Sequence, residues 1–210
     1  MAEQLERRFY TLDRIQARAE GDAEARHIIG HAAVFETPTL IYDFEEIIAK
    51  GAFKRAILED DVRALYNHDA NYVLGRNTKG TLLLAEDDDG LAVDILMPDT
   101  SYARDLLVSM ERGDVDQMSF AFVVGPDGAK WRYDDERKVW QRTVLSVAKL
   151  YDVSPVTYPA YPSTDAHVRA MGLYRPEPPQ VQRVGNRGDE AQGSRIARMR
   201  RQLELLEMEL

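Results

Sequence analysis

The chain is a succession of short apolar runs, each cut off by a glycine, a proline or an Asp-Gly pair, and this punctuation leaves it few folds. The run from Ile28 to Phe35 stops before Pro38, which has no N–H to give to a sheet ladder. Val62 to Tyr66 is a short strand that delivers Asn67-His68-Asp69. Thr81 to Leu84 and Leu91 to Leu96 flank Asp87-Asp88-Asp89-Gly90, and Asp-Gly between apolar runs signals a hairpin. Met118 to Val124 is a strand, Asp127-Gly128 a turn, Trp131 to Asp135 a short strand, and Val139 to Val156 carries one or two more, ending at Pro155 and the Tyr158-Pro159-Ala160-Tyr161-Pro162 segment. Helices are few. Phe44 to Leu58 has helical spacing in two pieces broken at Gly51. Pro98-Asp99-Thr100-Ser101 starts a second helix, with Leu106, Leu107 and Met110 on its apolar face and Gly113 as its stop. The pattern predicts a mainly β domain, mostly antiparallel, with peripheral helices (α+β).

The two ends of the chain read differently. Leu5, Phe9, Leu12 and Ile15 fit a helix, while Gly21-Asp22 would equally close a hairpin between Phe9–Ala17 and the run that begins at Ile28. The domain spans residues 1–170. Residues 171–193 carry Pro176, Pro178, Pro179, Gly185, Gly188 and Gly193 among polar residues, the composition of a linker and a candidate for self-cleavage. Residues 194–210 place Ile196, Met199, Leu203, Leu206 and Leu210 on one seam of an amphipathic C-terminal helix. Arginines at the start of that helix and glutamates at its end oppose its own dipole, so an antiparallel partner helix, such as a second copy, would relieve it.

Composition removes whole classes of function. With no cysteine, disulfides, thiolate nucleophiles and Cys-based zinc sites are excluded. Acidic residues exceed basic ones by 36 to 27, a balance opposed to nucleic acid as the main partner, since duplex affinity comes largely from cations set against phosphates. No apolar run approaches the roughly 20 residues that span a bilayer, and Met1 to Arg8 lacks a signal-peptide core. The expectation is a soluble protein of a reducing compartment. No P-loop or dinucleotide glycine pattern occurs, and no cofactor is expected.

Four histidines can be weighed one by one. His27 and His31 lie in or beside an apolar strand and read as core or surface; His167 follows a Pro-rich stretch with no orienting neighbour. His68 stands at a strand end, where a side chain can project into a cleft. Ser119, at the mouth of a strand, would need such a base to become nucleophilic, and Asp152, inside the apolar run Leu150 to Ser154, could hold the imidazole. Spacing alone does not make this set specific. Glu86 to Asp89 reads as a solvated turn with no nearby histidine rather than a metal cluster, and a metal-dependent hydrolase built on His68 and Asp69 would lack further ligands. Trp131 and Trp140 read as cross-strand packing.

Several stretches taken in order carry a resemblance. Gly30-His31-Ala32-Ala33-Val34-Phe35, Phe44-Glu45-Glu46-Ile47-Ile48 with Gly51-Ala52-Phe53, Leu65-Tyr66-Asn67-His68-Asp69, Val73-Leu74-Gly75-Arg76, Gly113-Asp114-Val115 running into Met118-Ser119-Phe120-Ala121-Phe122, and Asp152-Val153-Ser154-Pro155 continuing to Tyr161 together resemble the prohead (capsid maturation) serine proteases of tailed bacteriophages and prophages, over about residues 7–170. The resemblance implies a fold related to herpesvirus maturation proteases, a closed or nearly closed β-barrel with helices around it, and it favours the N-terminal hairpin. It implies an endopeptidase packaged inside the procapsid in the host bacterial cytoplasm, where it cuts scaffold or the scaffolding arm of the major capsid protein precursor, and also itself. Ser119 maps to the nucleophile and His68 to the base. The family more often has Glu where Asp152 stands, which would shorten the reach to His68; His31 replaces a common aromatic residue and is a second candidate for the third member. A catalytically inactive assembly protein with the protease fold is the reading from a different class.

Overall fold

A computed structural model describes residues 5–11, 16–19, 26–41 and 43–158. Thirteen strands and two α-helices occur among them. In chain order these are β1 (Glu6–Thr11), β2 (Gln16–Ala19), β3 (Arg26–Val34), β4 (Thr39–Ile41), β5 (Phe44–Ile48), α1 (Lys54–Glu59), β6 (Arg63–Tyr66), β7 (Asp69–Arg76), β8 (Leu82–Glu86), β9 (Gly90–Leu96), α2 (Ser101–Glu111), β10 (Gln117–Val124), β11 (Ala129–Asp134), β12 (Val139–Val144) and β13 (Val147–Val156). The mainly β expectation holds, and no helix among the described residues is long and apolar enough to cross a membrane. The linker at 171–193, the helix at 194–210, His167 and the Gly21-Asp22 turn lie outside the described residues.

The strands form three sheets, ordered β1-β10-β13-β6-β7, β11-β12-β5-β4 and β2-β3-β9-β8. Pairing is antiparallel except between β5 and β12 and between β6 and β13. The expected closed or nearly closed barrel is corrected here. A barrel needs every strand flanked by two hydrogen-bonded neighbours, whereas among the described residues the ladders end at β1 and β7, at β11 and β4, and at β2 and β8. The sheets meet through side chains instead. Ile28 of β3, Ile95 of β9, Phe120 and Phe122 of β10 and Phe53 before α1 are fully buried in one core, with Phe53 edge-on to Phe120 at 5.4 Å. Ile41, Phe44 and Trp140 form a smaller cluster, with Trp131 edge-on to Trp140 at 6.3 Å, the cross-strand packing expected of that pair.

The N-terminal hairpin is half realised. Residues of β2 pair antiparallel with β3, from Gln16 opposite Ile29 to Ala19 opposite Arg26, but the Phe9 end of the expected strand belongs to β1, which pairs with β10 in another sheet. The helix expected over Phe44–Ile48 is a second correction: this segment is β5, parallel to β12, while Lys54–Glu59 is helical after Gly51, whose φ is +91°. Glu45 and Glu46 lie in the middle of β5 and are both buried, which is tolerable because distant cations meet them. Arg137 donates twice to Glu45, and Arg8 and Arg142 donate to Glu46. Helical spacing within the segment carries no trace of these partners.

Two local devices redirect the chain between elements. At the end of α2, Gly113 has φ +79°; its N–H donates to the Met110 carbonyl at 2.9 Å and the Asp114 N–H to the Ser109 carbonyl at 2.8 Å, closing the helix and turning the chain into β10. Gly90 serves a different need from the one its Asp-Gly dipeptide suggests. The turn is held by Asp87, which accepts from the N–H groups of Asp89 and Gly90, while a Cβ on Gly90 would lie 1.9 Å from the Ala33 carbonyl oxygen.

The charge pairs set the acid limit of stability. Burial of Glu6 disfavours its charged form, but hydrogen bonding from Arg142 and the charges of Arg8 and Arg142 prevail and hold its carboxyl below the ordinary 4.5. A hydrogen bond from Arg76 takes the exposed Asp61 carboxyl from 3.8 to about 2. Both carboxyls titrate lower folded than unfolded, so their contribution is complete above the ordinary range near 4 and is lost as pH falls through the folded values. The thermal midpoint is therefore expected to hold between about pH 6 and 8 and to drop steeply between about pH 4 and 2; a midpoint unchanged down to about pH 2 would show that these pairs add nothing to the fold.

Candidate active site

The connection from β6 to β7 is only two residues long, Asn67-His68, with Tyr66 paired to Asp69 across it. Both have positive φ, +55° and +57°, as a type I′ hairpin turn requires. Asn takes that conformation readily; His, in the place usually held by Gly, does so at a cost of roughly 1 kcal/mol. The turn is stitched to the end of β13. The Asn67 N–H donates to the Pro155 carbonyl at 3.0 Å, Asn67 Oδ1 accepts the Thr157 N–H at 2.9 Å, and Asn67 Nδ2 donates to Thr157 Oγ1 at 3.2 Å. Because β6 and β13 run parallel, the turn after β6 arrives beside the end of β13. Asn67→Ala is expected to destabilise the protein by about 1 kcal/mol more than Asn67→Gly, since both lose the clamp but only alanine resists the left-handed backbone. Equal unfolding free energies for the two variants would show that the backbone is not strained there.

The other members come from neighbouring strands. In β10, Met118, Phe120 and Phe122 alternate with Ser119 and Ala121, so the serine points to the opposite face from these core side chains. On β13, Ser154 lies opposite Ser119 and Asp152 opposite Ala121, which puts Ser119, Asp152 and Ser154 on one face of the sheet. His68 Nε2 stands 2.7 Å from Ser119 Oγ, and His68 Nδ1 stands 2.6 Å from Asp152 Oδ1. Ser154 Oγ donates to the same Asp152 oxygen at 2.7 Å. With Nδ1–H donating to the carboxylate, the lone pair of neutral imidazole lies on Nε2, facing the serine. The cluster is dry: Ser119 and Ser154 are 0% exposed and Asp152 7%.

Ser119 has a second acceptor in reach. Its hydroxyl donates to the Arg8 carbonyl of β1 at 2.8 Å, and β1 lies along β10 with Phe9 opposite Ser119. One hydroxyl proton serves one acceptor at a time, so this carbonyl competes with Nε2 for it.

Of the sequence candidates, Ser119, His68 and Asp152 are brought together; the shorter Asp in place of Glu still reaches the imidazole. His31, the second candidate for the third member, bonds instead to Asp87 Oδ2 at 2.8 Å, and His27 bonds to Asp94 at 2.6 Å, both within the β2-β3-β9-β8 sheet. The Glu86–Asp89 turn does have a histidine beside it, contrary to expectation, because β3 and the β8–β9 turn converge: His31, Asp87 and Asp89 offer ligand atoms within 4.8 Å of one another. Asp87 has its oxygens engaged by the turn amides and by His31. A metal centre on His68 and Asp69 has no geometric support, since both His68 nitrogens face protein groups and Asp69 accepts from Asn71. Sequence reasoning missed the Asn67 clamp, the Arg8 carbonyl and Ser154. Asn-X at a two-residue hairpin and Asp-X-Ser on one strand face were the available signals for the first and last.

An Asp–His–Ser chain of hydrogen bonds is the arrangement by which a hydroxyl is made nucleophilic, and it recurs on unrelated folds. The family model described as Caudovirus prohead serine protease matches residues 13–175. The chain belongs to that family and is a serine protease. It is also similar to the bacteriophage T4 capsid assembly protease gp21, at 13% identity and a TM-score of 0.47, over 73% of this chain and 96% of that one. The comparison with curated proteins gives no match.

Proposed function

We propose that this protein is a prohead maturation endopeptidase that works by acyl transfer, with Ser119 as nucleophile, His68 as general base and acid, and Asp152 as the group that holds and compensates the imidazolium. His68 Nε2 takes the Ser119 proton as Oγ attacks a peptide carbonyl. The imidazolium then gives the proton to the leaving amine, and water hydrolyses the acyl-serine by the same route. The observation that carries this reading is the unbroken line of bonds at 2.6 and 2.7 Å linking three side chains that lie far apart in the chain. The near-complete shielding of the His68–Asp152 pair from water supports it further, since compensation of a developing charge is strongest where solvent is excluded.

Membership of a prohead protease family supports capsid or scaffold proteins as the substrate class. The proposed substrates are scaffold protein or the scaffolding arm of the major capsid protein precursor, cut inside the procapsid, with the Pro/Gly-rich 171–193 segment of the chain as a further proposed site. Before attack, the Ser119 hydroxyl turns its proton from the Arg8 carbonyl to Nε2, a rotation about Cβ–Oγ, since both acceptors lie within reach of the same oxygen. Co-expression with the capsid precursor is the test: the wild-type chain yields truncated precursor, and a chain carrying Ser119→Ala does not.

A further inference from the structure

Asp152 Oδ1 receives two donors, the imidazole Nδ1–H of His68 and the hydroxyl of Ser154 at 2.7 Å. Ser154 is two residues along β13 and therefore on the same face, directly opposite Ser119 in the β10 register. Its neighbours Val153, Pro155 and Val156 are buried, and a fully buried hydroxyl in such a run is costly unless it is bonded. The torsion that turns an aspartate carboxylate is broad and roughly two-fold, so a single contact with His68 leaves the plane of the carboxyl poorly defined. A second donor from the same strand fixes it.

We propose that Ser154 is a positioning residue for the reaction: its hydroxyl locks the Asp152 carboxylate in the rotamer that faces His68 Nδ1, and so keeps Nε2 aimed at Ser119. The inference rests on the Ser119–His68–Asp152 reading and adds a fourth member that touches no substrate. Its action is entirely through Asp152, and this separates it from a hydroxyl that merely fills space in the strand. A packing role would lower stability and would act alike whatever stands at position 152. A positioning role slows the chemical step, leaves substrate binding alone, and vanishes when the carboxylate is gone.

The experiment is a double-mutant cycle on the purified full chain, with the capsid precursor as substrate and kcat and KM read separately. Ser154→Ala is expected to lower kcat by about tenfold to a hundredfold with KM unchanged, and Asp152→Asn by about 10³- to 10⁴-fold. The double variant is expected to be no slower than Asp152→Asn alone. Wild-type kcat in Ser154→Ala, or a further loss of the same size in the Asp152→Asn background, overturns the positioning role. If Ser119→Ala is inactive while Ser154→Ala is unimpaired, only the role of Ser154 falls; if Ser119→Ala still cuts, the reading beneath it falls too.

Discussion

A chain carrying Ser119→Ala is expected to lose processing of the capsid precursor by about 10⁴-fold or more, with its fold intact. The size reflects the role. Without Oγ there is no acyl-enzyme, and what remains is the modest help that binding and oxyanion stabilisation give to water. The structural cost is small by comparison. The deleted hydroxyl gives its one proton either to the Arg8 carbonyl or to His68 Nε2, and alanine fits the space, so the unfolding free energy should change by only about 1 kcal/mol. Measuring truncated precursor and the thermal midpoint on the same preparations separates the two. Truncation at the wild-type rate in Ser119→Ala would remove Ser119 from the chemistry altogether.

Glu46→Ala is expected to cost more stability than any other substitution named, about 3–5 kcal/mol. Glu6 and Arg8 on β1, Glu46 on β5 and Arg142 on β12 form a cluster of mutually bonded charges, with Glu46 0% and Arg8 2% exposed. Arg8 Nη2 donates to Glu46 at 3.0 Å, Arg142 Nη1 to Glu46 at 2.8 Å and Arg142 Nη2 to Glu6 at 2.8 Å. Removing Glu46 takes a carboxylate partner from two buried guanidinium groups at once. For a chain of this length the loss corresponds to a fall in the thermal midpoint of about 6–20 °C, read by circular dichroism. A fall of less than about 2 °C would mean that water reaches these charges after all. The same variant removes the side-chain tie from Arg8 of β1 to β5, while the Glu6–Arg142 pair still joins β1 to β12 and the backbone ladder from β1 to β10 remains.

What the sequence discloses of this molecule depends on how local each signal is. The hairpin of β8 and β9 is legible because both runs and their turn lie within about fifteen residues, and α2 because its start, apolar face and Gly113 stop are contiguous. Phe44–Ile48 is not legible as a strand. Its parallel partner β12 and the arginines that make two buried glutamates tolerable lie up to 96 positions away, and nothing within the segment distinguishes it from a helix. The open sheets escape sequence reading for a related reason: where a ladder ends depends on pairing and register between distant strands, not on the pattern within any one. At the site, Ser119, His68 and Asp152 are legible as motif positions, since spacing alone selects no such triple. Asn67 and Ser154 stand in the same motifs, but their parts emerge only when the turn's backbone conformation and the shared face of β13 are known.

The three central side chains converge from 51 and 84 positions apart, and Asp152 lies on β13, the last strand described. A nascent chain still held by the ribosome with β13 inside the exit tunnel has no carboxylate to offer His68, and β6 has no parallel neighbour to stand against. Long-range parallel pairing of this kind is among the slower events in the folding of a small domain. Synthesis itself thus imposes a delay: translation must pass Ser154 and the central sheet must assemble before the imidazole, hydroxyl and carboxylate can meet.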